Sequence, residues 1–158
     1  MMNRMRTLAA LLLVVAISPV TSAAPPHAGT MSAMVNGGEW TAEVISAAAI
    51  QGGVLRIAGQ SHMKPPFVAV GIAVPPKVGT YAVNAATGAS VAGSLVQADA
   101  GKPVLQWNAD GGAGSGTVTL TELTPTGASG TFSFTLVHMV TASTGTKIIT
   151  NGKFAVTF

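Results

Sequence analysis

The feature that most constrains the fold of this chain is its division into short apolar or β-branched runs separated by glycine, proline and asparagine. No apolar pattern with a helical period continues for three turns, which disfavours a helical protein. Runs of this length and spacing are typical of antiparallel all-β domains. We therefore predict an all-β fold, either an antiparallel β-sandwich or a small β-barrel, of about nine or ten short strands.

Turn residues predict two hairpins near the start of this region. The sequence Asn36-Gly37-Gly38 separates residues 31–35 from residues 39–45. Asn-Gly accepts the positive φ angles of a type I′ turn, so these two runs are predicted to pair. A second hairpin is predicted around Gln51-Gly52-Gly53, with residues 54–60 as its return strand.

Residues 67–74 are almost uninterruptedly apolar and lie between two Pro-Pro pairs. Because both pairs fall outside the run, it predicts a central strand that is buried on both faces. The remaining predicted strands cover residues 81–83, 90–97, 104–108, 117–123, 131–140 and 147–158.

Alternation in the later strands predicts which side chains face the core. Residues 131–140 place Phe132, Phe134, Leu136, His138 and Val140 on one side.

A threonine-rich face around Thr117, Thr119 and Thr121 raises the possibility of contact with ice or carbohydrate. We interpret it as an ordinary solvent-facing side, where threonine is favoured. Asn151-Gly152 predicts either another tight hairpin or a bulge in one long edge strand.

The amino terminus has the pattern of a secretory signal peptide. Arg4 and Arg6 precede an apolar run at residues 8–17, and small residues lead to a preferred cleavage site after Ala23. The run is shorter than the roughly 20 residues that cross a bilayer, so no transmembrane helix is expected after cleavage. We predict an exported protein, periplasmic or extracellular. Its layout is a signal peptide at 1–23, a short Pro-rich linker at 24–30 and one all-β domain at 31–158.

Charge is scarce, at 8% of the 158 residues, with a formal net charge of +3. Without the first 23 residues, six Lys and Arg against five Asp and Glu leave +1. The basic balance therefore belongs mostly to the predicted leader, and no nucleic-acid partner is expected. The absence of cysteine excludes disulfides and a lipid-attachment cysteine.

Several segments that combine turn residues with an aromatic or β-branched residue follow one another along the chain. They are Asn36-Gly37-Gly38-Glu39-Trp40-Thr41-Ala42, Gly79-Thr80-Tyr81, Gly114-Ser115-Gly116-Thr117-Val118-Thr119, Gly130-Thr131-Phe132-Ser133-Phe134 and Ile149-Thr150-Asn151-Gly152-Lys153-Phe154. Their order resembles that of a family of small exported bacterial all-β proteins with an uncharacterised domain, many of them described as lipoproteins. The resemblance covers about residues 31–158 and implies the all-β fold and the export route. It supplies no catalytic residues, and this chain departs from the family in lacking the lipid-attachment cysteine.

The residues offer little catalytic chemistry. No Gly-x-Ser-x-Gly segment lies between a strand and a helix, and the five acids are interpreted as solvated surface groups. The glycine-rich segment 111–116 lacks the Lys-Ser/Thr ending of a phosphate loop and is interpreted as a flexible hairpin connection. We predict that the protein is not an enzyme and uses no cofactor.

Two His-Met pairs are weak candidates for a copper site, because imidazole and thioether are soft ligands. They are His62-Met63 and His138-Met139. Neighbouring residues on a strand point to opposite faces, so one pair cannot chelate an ion without a bulge. We predict no metal site and interpret His138 as a hydrogen-bonded core or cavity histidine.

Two classes of function remain open. In the favoured one, the protein is a structural or interaction domain at the cell envelope with an unknown envelope or extracellular partner. In the alternative, it binds a small apolar ligand through Trp40, Tyr81, Trp107 and His138. An internal cavity lined by these residues would favour ligand binding, whereas a filled core would favour the structural role.

A third possibility, a small outer-membrane barrel, comes from the alternation of Phe154, Val156 and Phe158 at the carboxyl end. It fits poorly, because aromatic residues total only 5% and most runs are shorter than about ten residues.

Overall fold

The computed structural model describes residues 27–158, so the predicted signal peptide, its cleavage site and the first part of the linker lie outside the described residues. These residues form eleven strands and one 3₁₀ turn, Gly88–Ser90. The strands are β1 Gly29–Val35, β2 Gly38–Thr41, β3 Val44–Gln51, β4 Val54–Gln60, β5 Phe67–Val74, β6 Gly79–Ala82, β7 Ala92–Ala98, β8 Leu105–Ala109, β9 Ser115–Thr124, β10 Gly127–His138 and β11 Thr146–Thr157.

The strands form one antiparallel sheet that curls into a half-barrel, which confirms the all-β prediction. Its path is β2-β1-β11-β10-β8-β7-β5-β4-β3, and an isolated bridge between His27 and Ile45 links the residues just before β1 to β3, the last strand of the path. The path divides at β10, because β9 pairs with residues 127–135 and β8 pairs with residues 137–138 on the same edge. β6 then adds to β9. Among the described residues, no helix has the length and apolar character needed to cross a membrane.

Both predicted hairpins are confirmed. Asn36 and Gly37 connect β1 to β2 with φ angles of 49° and 79°. Gly52 and Gly53 connect β3 to β4 with φ angles of 58° and 75°. Two successive positive φ angles define the type I′ turn, whose twist matches that of the flanking strands.

The predicted central strand is also present, as β5 lies between β4 and β7 with the expected bounds. The prediction that both of its faces are buried is wrong in part. Val70, Ile72 and Val74 are buried against the interior, but Ala69 and Gly71 on the outer face are only half-buried. The middle of the outer face of β5 carries only small side chains. It therefore exposes little apolar surface, and β5 needs no second layer of structure packed over that face.

Asn151-Gly152 marks a bulge inside a single strand. The register of β11 shifts there against both neighbours, and Asn151 has a φ of 53°. The extra residue is accommodated within the ladder, so the hairpin alternative is wrong. β11 pairs with β1 on one side and β10 on the other, so it is an interior strand, contrary to the predicted edge position.

The interior is filled by side chains from every part of the path. The fully buried large residues are Met31, Leu55, Ile57, Leu95, Leu120, Leu136, Ile149, Val70, Val74, Val91 and Val118. Phe132 packs between two further rings, with centroids 5.9 Å from Phe134 and 6.4 Å from Phe154.

Two outer faces of contrasting composition result from the alternation of side chains. The alanine face lies on β3, β4, β5 and β7. It comprises Ala47, Ala58, Gly71, Ala73, Ala92 and Ser94, together with Arg56, which lies opposite Ala73. The hydroxyl face lies on β6, β9, β10, β11, β1 and β2. It comprises Thr80, Thr117, Thr119, Thr131, Ser133, Lys153, Ser32 and Thr41.

Candidate functional site

A mainly apolar cleft opens at one end of the half-barrel, where the loops at residues 61–66, 99–104 and 139–145 meet. We name it the end cleft. Its volume is about 640 Å³, which lies in the usual range for small-molecule sites. It is lined by Ser61, His62, Pro66, Phe67, Val68, Gln97, Ala98, Asp99, Lys102, Pro103, Leu105 and Ala142.

Backbone and hydroxyl hydrogen bonds hold the first wall of the end cleft in place. Ser61 and Val68 are joined twice, because the Ser61 amide donates to the Val68 carbonyl at 2.9 Å and the Val68 amide donates to Ser61 Oγ at 2.9 Å. The loop before β5 is therefore tied to the strand that it precedes. A wall fixed in this way needs little reordering when a ligand enters.

The opposite wall is held by Ser143, the one buried polar residue among those described. Its Oγ accepts from the Gln106 amide at 2.7 Å, and the Met139 amide donates to the Gln106 carbonyl at 2.9 Å. These bonds tie the loop that carries Ala142 to β8. Both walls of the end cleft are thus anchored to strands.

Polar side chains at the rim of the end cleft contact one another. His62 Nδ1 lies 2.9 Å from Glu43 Oε2, and Lys102 Nζ donates to Asp99 Oδ2 at 2.5 Å. The Lys102 hydrogen bond and charge lower the pKa of Asp99, and the same contact raises the pKa of Lys102. The rim therefore carries one ion pair, Lys102 with Asp99, beside an apolar floor.

The two predicted ligand-binding tryptophans lie behind the walls of the end cleft. Trp40 is 7% exposed, and its indole N–H donates to the carbonyl of Val68 at 3.0 Å. Trp107 is 2% exposed, and its N–H donates to the Thr144 carbonyl at 3.1 Å. Both rings position backbone of the cleft walls from the core side.

Tyr81 and His138, the other two predicted ligand contacts, are not brought together. Tyr81 pairs with Val118 and donates its hydroxyl to the Lys77 carbonyl at 2.7 Å. His138 lies directly opposite Trp107 across the β8–β10 ladder. Its side chain is exposed, so its interpretation as a core histidine is wrong. His138 is the last residue of β10, where the strand has passed beyond the core. Alternation predicts which face of a strand a side chain is on, but it does not show where the core ends.

The weak copper candidates are likewise separated by their surroundings. His62 lines the end cleft and contacts Glu43, whereas Met63, His138 and Met139 do not line the cleft. Met63 and Met139 are 69% and 48% exposed. Within residues 27–158, no group of three His, Cys, Asp or Glu side chains is placed to hold a metal ion.

One family model matches the region just described. It is described as Domain of unknown function (DUF6252), and the match covers residues 27–156. The chain belongs to the DUF6252 family. A search of the curated proteins and a search of the solved structures each found no match. The function of this DUF6252 domain therefore has to be inferred from its own residues.

Sequence reasoning missed the apolar residues that line the cleft of the DUF6252 domain, chiefly Phe67, Val68 and Leu105. The sequence pattern placed Phe67 and Val68 in a buried strand and Leu105 in the predicted strand at residues 104–108, and it indicated a ligand-binding role for none of them. A usable signal was present at Met63, a large apolar side chain in a predicted connection. Val104 and Met139 gave no such signal, because both fell inside predicted strands.

Proposed function

We propose that this protein is an exported, non-enzymatic binding module that holds a small apolar ligand in the end cleft. The observation that carries the proposal is the lining, where Phe67, Val68 and Leu105 form an apolar floor in a cleft of about 640 Å³. Clefts of this size with an apolar lining and a few polar groups are the usual form of small-ligand sites.

The loops around the end cleft expose apolar side chains. Met63, Val104 and Met139 are 69%, 54% and 48% exposed, one on each of the three loops. They do not line the cleft itself, and exposed apolar side chains of this kind can contribute to an interaction surface.

The polar groups favour a neutral ligand with a hydrogen-bonding end. Ser61 Oγ accepts from the Val68 amide, which leaves its own hydroxyl hydrogen available to a ligand. The Gln97 amide adds a further donor and acceptor. Asp99 and Lys102 satisfy one another, so a charged ligand would have to separate them.

Export is part of this proposal and rests on the signal-peptide pattern at residues 1–23. We propose a periplasmic or extracellular location in a bacterial host, in line with the family resemblance. The net charge of +1 after removal of the leader supports a role without nucleic acid.

The test measures binding of the neutral apolar dye Nile red by fluorescence. Ala142 is an exposed residue that lines the cleft, so Ala142→Trp fills the cleft without disturbing the core. We expect saturable dye binding that Ala142→Trp weakens by at least about tenfold, or roughly 1.4 kcal/mol. Ala85→Trp, at an exposed loop residue outside the cleft, is the matched control and should bind as the unaltered protein does.

Failure of the unaltered protein to bind the dye saturably would contradict the proposal. So would equal binding by the protein and Ala142→Trp. Native mass spectrometry of the protein purified from its own host adds a direct measurement, because a retained ligand appears as extra mass.

A structural or interaction role at the cell envelope is the second candidate. It is favoured by the packed interior, in which Trp40 and Trp107 are buried core residues. In that case the exposed side chains of Met63, Val104 and Met139 contact a partner protein, and the dye does not bind saturably.

A further inference from the structure

A second depression crosses the outer side of the sheet and differs in chemistry from the end cleft. It is a groove of about 830 Å³ that spans β2, β1, β11, β10 and β9. We name it the hydroxyl groove. Its lining residues are Ser32, Ala33, Met34, Glu39, Trp40, Thr41, Thr117, Thr119, Thr131, Phe132, Ser133, Asn151, Gly152 and Lys153.

Strand register places hydroxyl groups in a continuous row across this part of the sheet. Each residue of the row is the direct cross-strand partner of the next, and five of its six members carry a hydroxyl. Neighbouring strands lie about 4.8 Å apart, so the row presents one polar side chain at each such step. The row is Thr80, Thr119, Thr131, Lys153, Ser32 and Thr41.

Irregular strand pairing coincides with the groove. The β1–β11 register shifts between Ser32 and Met34, and the β10–β11 register shifts between Phe132 and Phe134. Both shifts meet the Asn151 bulge of β11. Bulges bend strands and increase their twist, which accounts for a depression on the outer side of a curled sheet.

The concentration of hydroxyls is specific to this half of the sheet. The corresponding cross-strand row on the alanine face has one hydroxyl among its first four members, Ala47, Ala58, Gly71 and Ser94. General β-propensity favours threonine on any exposed strand face, yet this chain uses alanine and glycine on the other half. Strand preference alone therefore does not explain the row.

The groups in the middle of the row are available to a ligand. Thr80 and Thr119 hydrogen bond to each other, with oxygens 3.1 Å apart. Within the described part of the chain, Ser32, Thr131 and Lys153 show no side-chain hydrogen bond of this kind. A hydroxyl both donates and accepts, whereas the lysine only donates.

Charge narrows the class of ligand. Lys153 is the one cation that lines the groove, and Glu39 adds one carboxylate. A polyanion would need several cations along its length, and an apolar molecule would leave the hydroxyls without partners. A ligand with closely spaced hydroxyl groups along its length can donate to and accept from the threonine and serine hydroxyls of the groove.

We propose that the hydroxyl groove binds a linear, uncharged oligosaccharide, laid across the strands from β9 to β2. Thr119, Thr131 and Ser32 exchange hydrogen bonds with successive sugar hydroxyls, and Lys153 donates to an oxygen near the centre. The site is independent of the end cleft, since the two depressions share no lining residue.

The experiment follows backbone amide shifts by NMR while cellohexaose, maltohexaose and chitohexaose are added separately. We expect at least one of them to shift the amides of Ser32, Thr131 and Lys153 in a saturable manner. Thr131→Val keeps the β-branched shape and removes the hydroxyl. It should weaken that binding about threefold to tenfold, as expected for a hydrogen bond worth about 0.5–1.5 kcal/mol.

Thr135→Val is the matched control, because Thr135 is an exposed threonine on the same strand that does not line the groove. It should leave saccharide affinity unchanged, as should the cleft-filling Ala142→Trp. Thermal unfolding of each variant shows that the fold is retained. The proposal is overturned if no hexasaccharide shifts the groove amides, if only a sulfated polysaccharide such as heparin does so, or if Thr135→Val weakens binding as much as Thr131→Val.

Discussion

The two halves of the curled sheet fill a shared interior with different side chains. Strand β10 contributes the buried rings of Phe132 and Phe134, and β11 contributes that of Phe154. Strands β4, β5 and β7 contribute aliphatic side chains such as Ile57 and Leu95. We call these the aromatic half and the aliphatic half. Their outer faces also differ, since the hydroxyl face lies on the aromatic half and the alanine face lies on the aliphatic half.

Glycine explains how the aromatic half is packed. Phe132 lies directly opposite Gly152, and Phe154 lies directly opposite Gly130. A Cβ at Gly152 would lie 2.5 Å from the Phe132 ring, and one at Gly130 would lie 2.7 Å from the Phe154 ring. Each ring thus covers a position that has no side chain, an arrangement known to stabilise glycine in sheets.

The comparison teaches that the two halves tolerate change differently. A ring that covers a glycine leaves no space at its cross-strand partner, so substitutions at either residue are expected to be costly. Short aliphatic side chains and an outer face of alanine leave more freedom. Four predictions test this difference, beginning with the largest expected effect.

Loss of a core ring should have the largest effect. Phe134→Ala removes a side chain that is 2% exposed and leaves a cavity. We expect it to lower the free energy of unfolding by about 3–5 kcal/mol, measured by urea denaturation. Phe158→Ala, at a ring that is 39% exposed, should change it by no more than about 1 kcal/mol. A cost below 1 kcal/mol for Phe134→Ala would contradict the packing described for the aromatic half.

Addition of one methyl group should distinguish the two faces of β7 and β5. The three atoms nearest to a Cβ at Gly93 would all be ring atoms of Phe134, the closest at 2.5 Å, so Gly93→Ala should cost about 1–3 kcal/mol. Gly71→Ala adds a Cβ on the alanine face, where the nearest atom is the rotatable Ser94 Oγ at 2.6 Å. We expect that variant to stay within about 0.5 kcal/mol of the unaltered protein.

A double-mutant cycle sharpens this prediction. Phe134→Leu removes part of the ring that Gly93→Ala would contact, so the two changes together should cost less than the sum of the single costs. If the two changes in the free energy of unfolding, measured by urea denaturation, were strictly additive, contact with the Phe134 ring would not be the cause of the Gly93→Ala cost.

The two type I′ turns offer a smaller test of the same contrast. Asn36 Oδ1 accepts a hydrogen bond from the Ile148 amide at 2.8 Å, which ties the first hairpin to β11. Asn36→Gly keeps the positive φ and loses that bond, so it should cost about 0.5–1.5 kcal/mol. Gly52→Asn places the residue that type I′ turns prefer in the turn of the aliphatic half, and it should change the free energy of unfolding by less than about 0.5 kcal/mol. Equal effects on the thermal midpoint would contradict a stabilising role for the Asn36 bond.

The smallest effect is expected at the rim of the end cleft. Lys102 holds the pKa of Asp99 below its ordinary value, so Lys102→Met should raise that pKa. A lowered carboxyl pKa contributes stability above the pKa of the unfolded chain, and this contribution is lost as the pH falls through the folded value. Both groups are exposed, so the effect on stability should be slight. NMR titration of the Asp99 carboxyl carbon measures the change, and an unaltered Asp99 pKa would contradict the pairing.

Local chemistry was sufficient to predict much of the fold. The Asn36-Gly37 and Gly52-Gly53 turns were predicted correctly because the φ angles of two adjacent residues define them. The bounds of β5 were correct because proline ends a strand on both sides. The inward positions of Phe132 and Phe134 followed from a period of two residues, which requires no knowledge of the neighbouring strands.

The candidate site could not be predicted in the same way. His138 follows the alternation, but its exposure depends on where the core ends. Trp40 and Trp107 were predicted as ligand contacts, and their hydrogen-bond partners Val68 and Thr144 lie 28 and 37 residues away in sequence, where local patterns give no indication of them. The end cleft depends on three loops that meet only after the sheet has curled.

By itself, the sequence determined the all-β class, the two tight turns and the inward positions of Phe132, Phe134 and Leu136. These properties depend on φ preferences and on alternation within a few residues. The tertiary structure decided that Asn151 forms a bulge, that β9 and β8 share one edge of β10, and that hydroxyl groups align in one row. Strand order and register bring residues from distant parts of the chain together, and local preferences carry no information about that pairing.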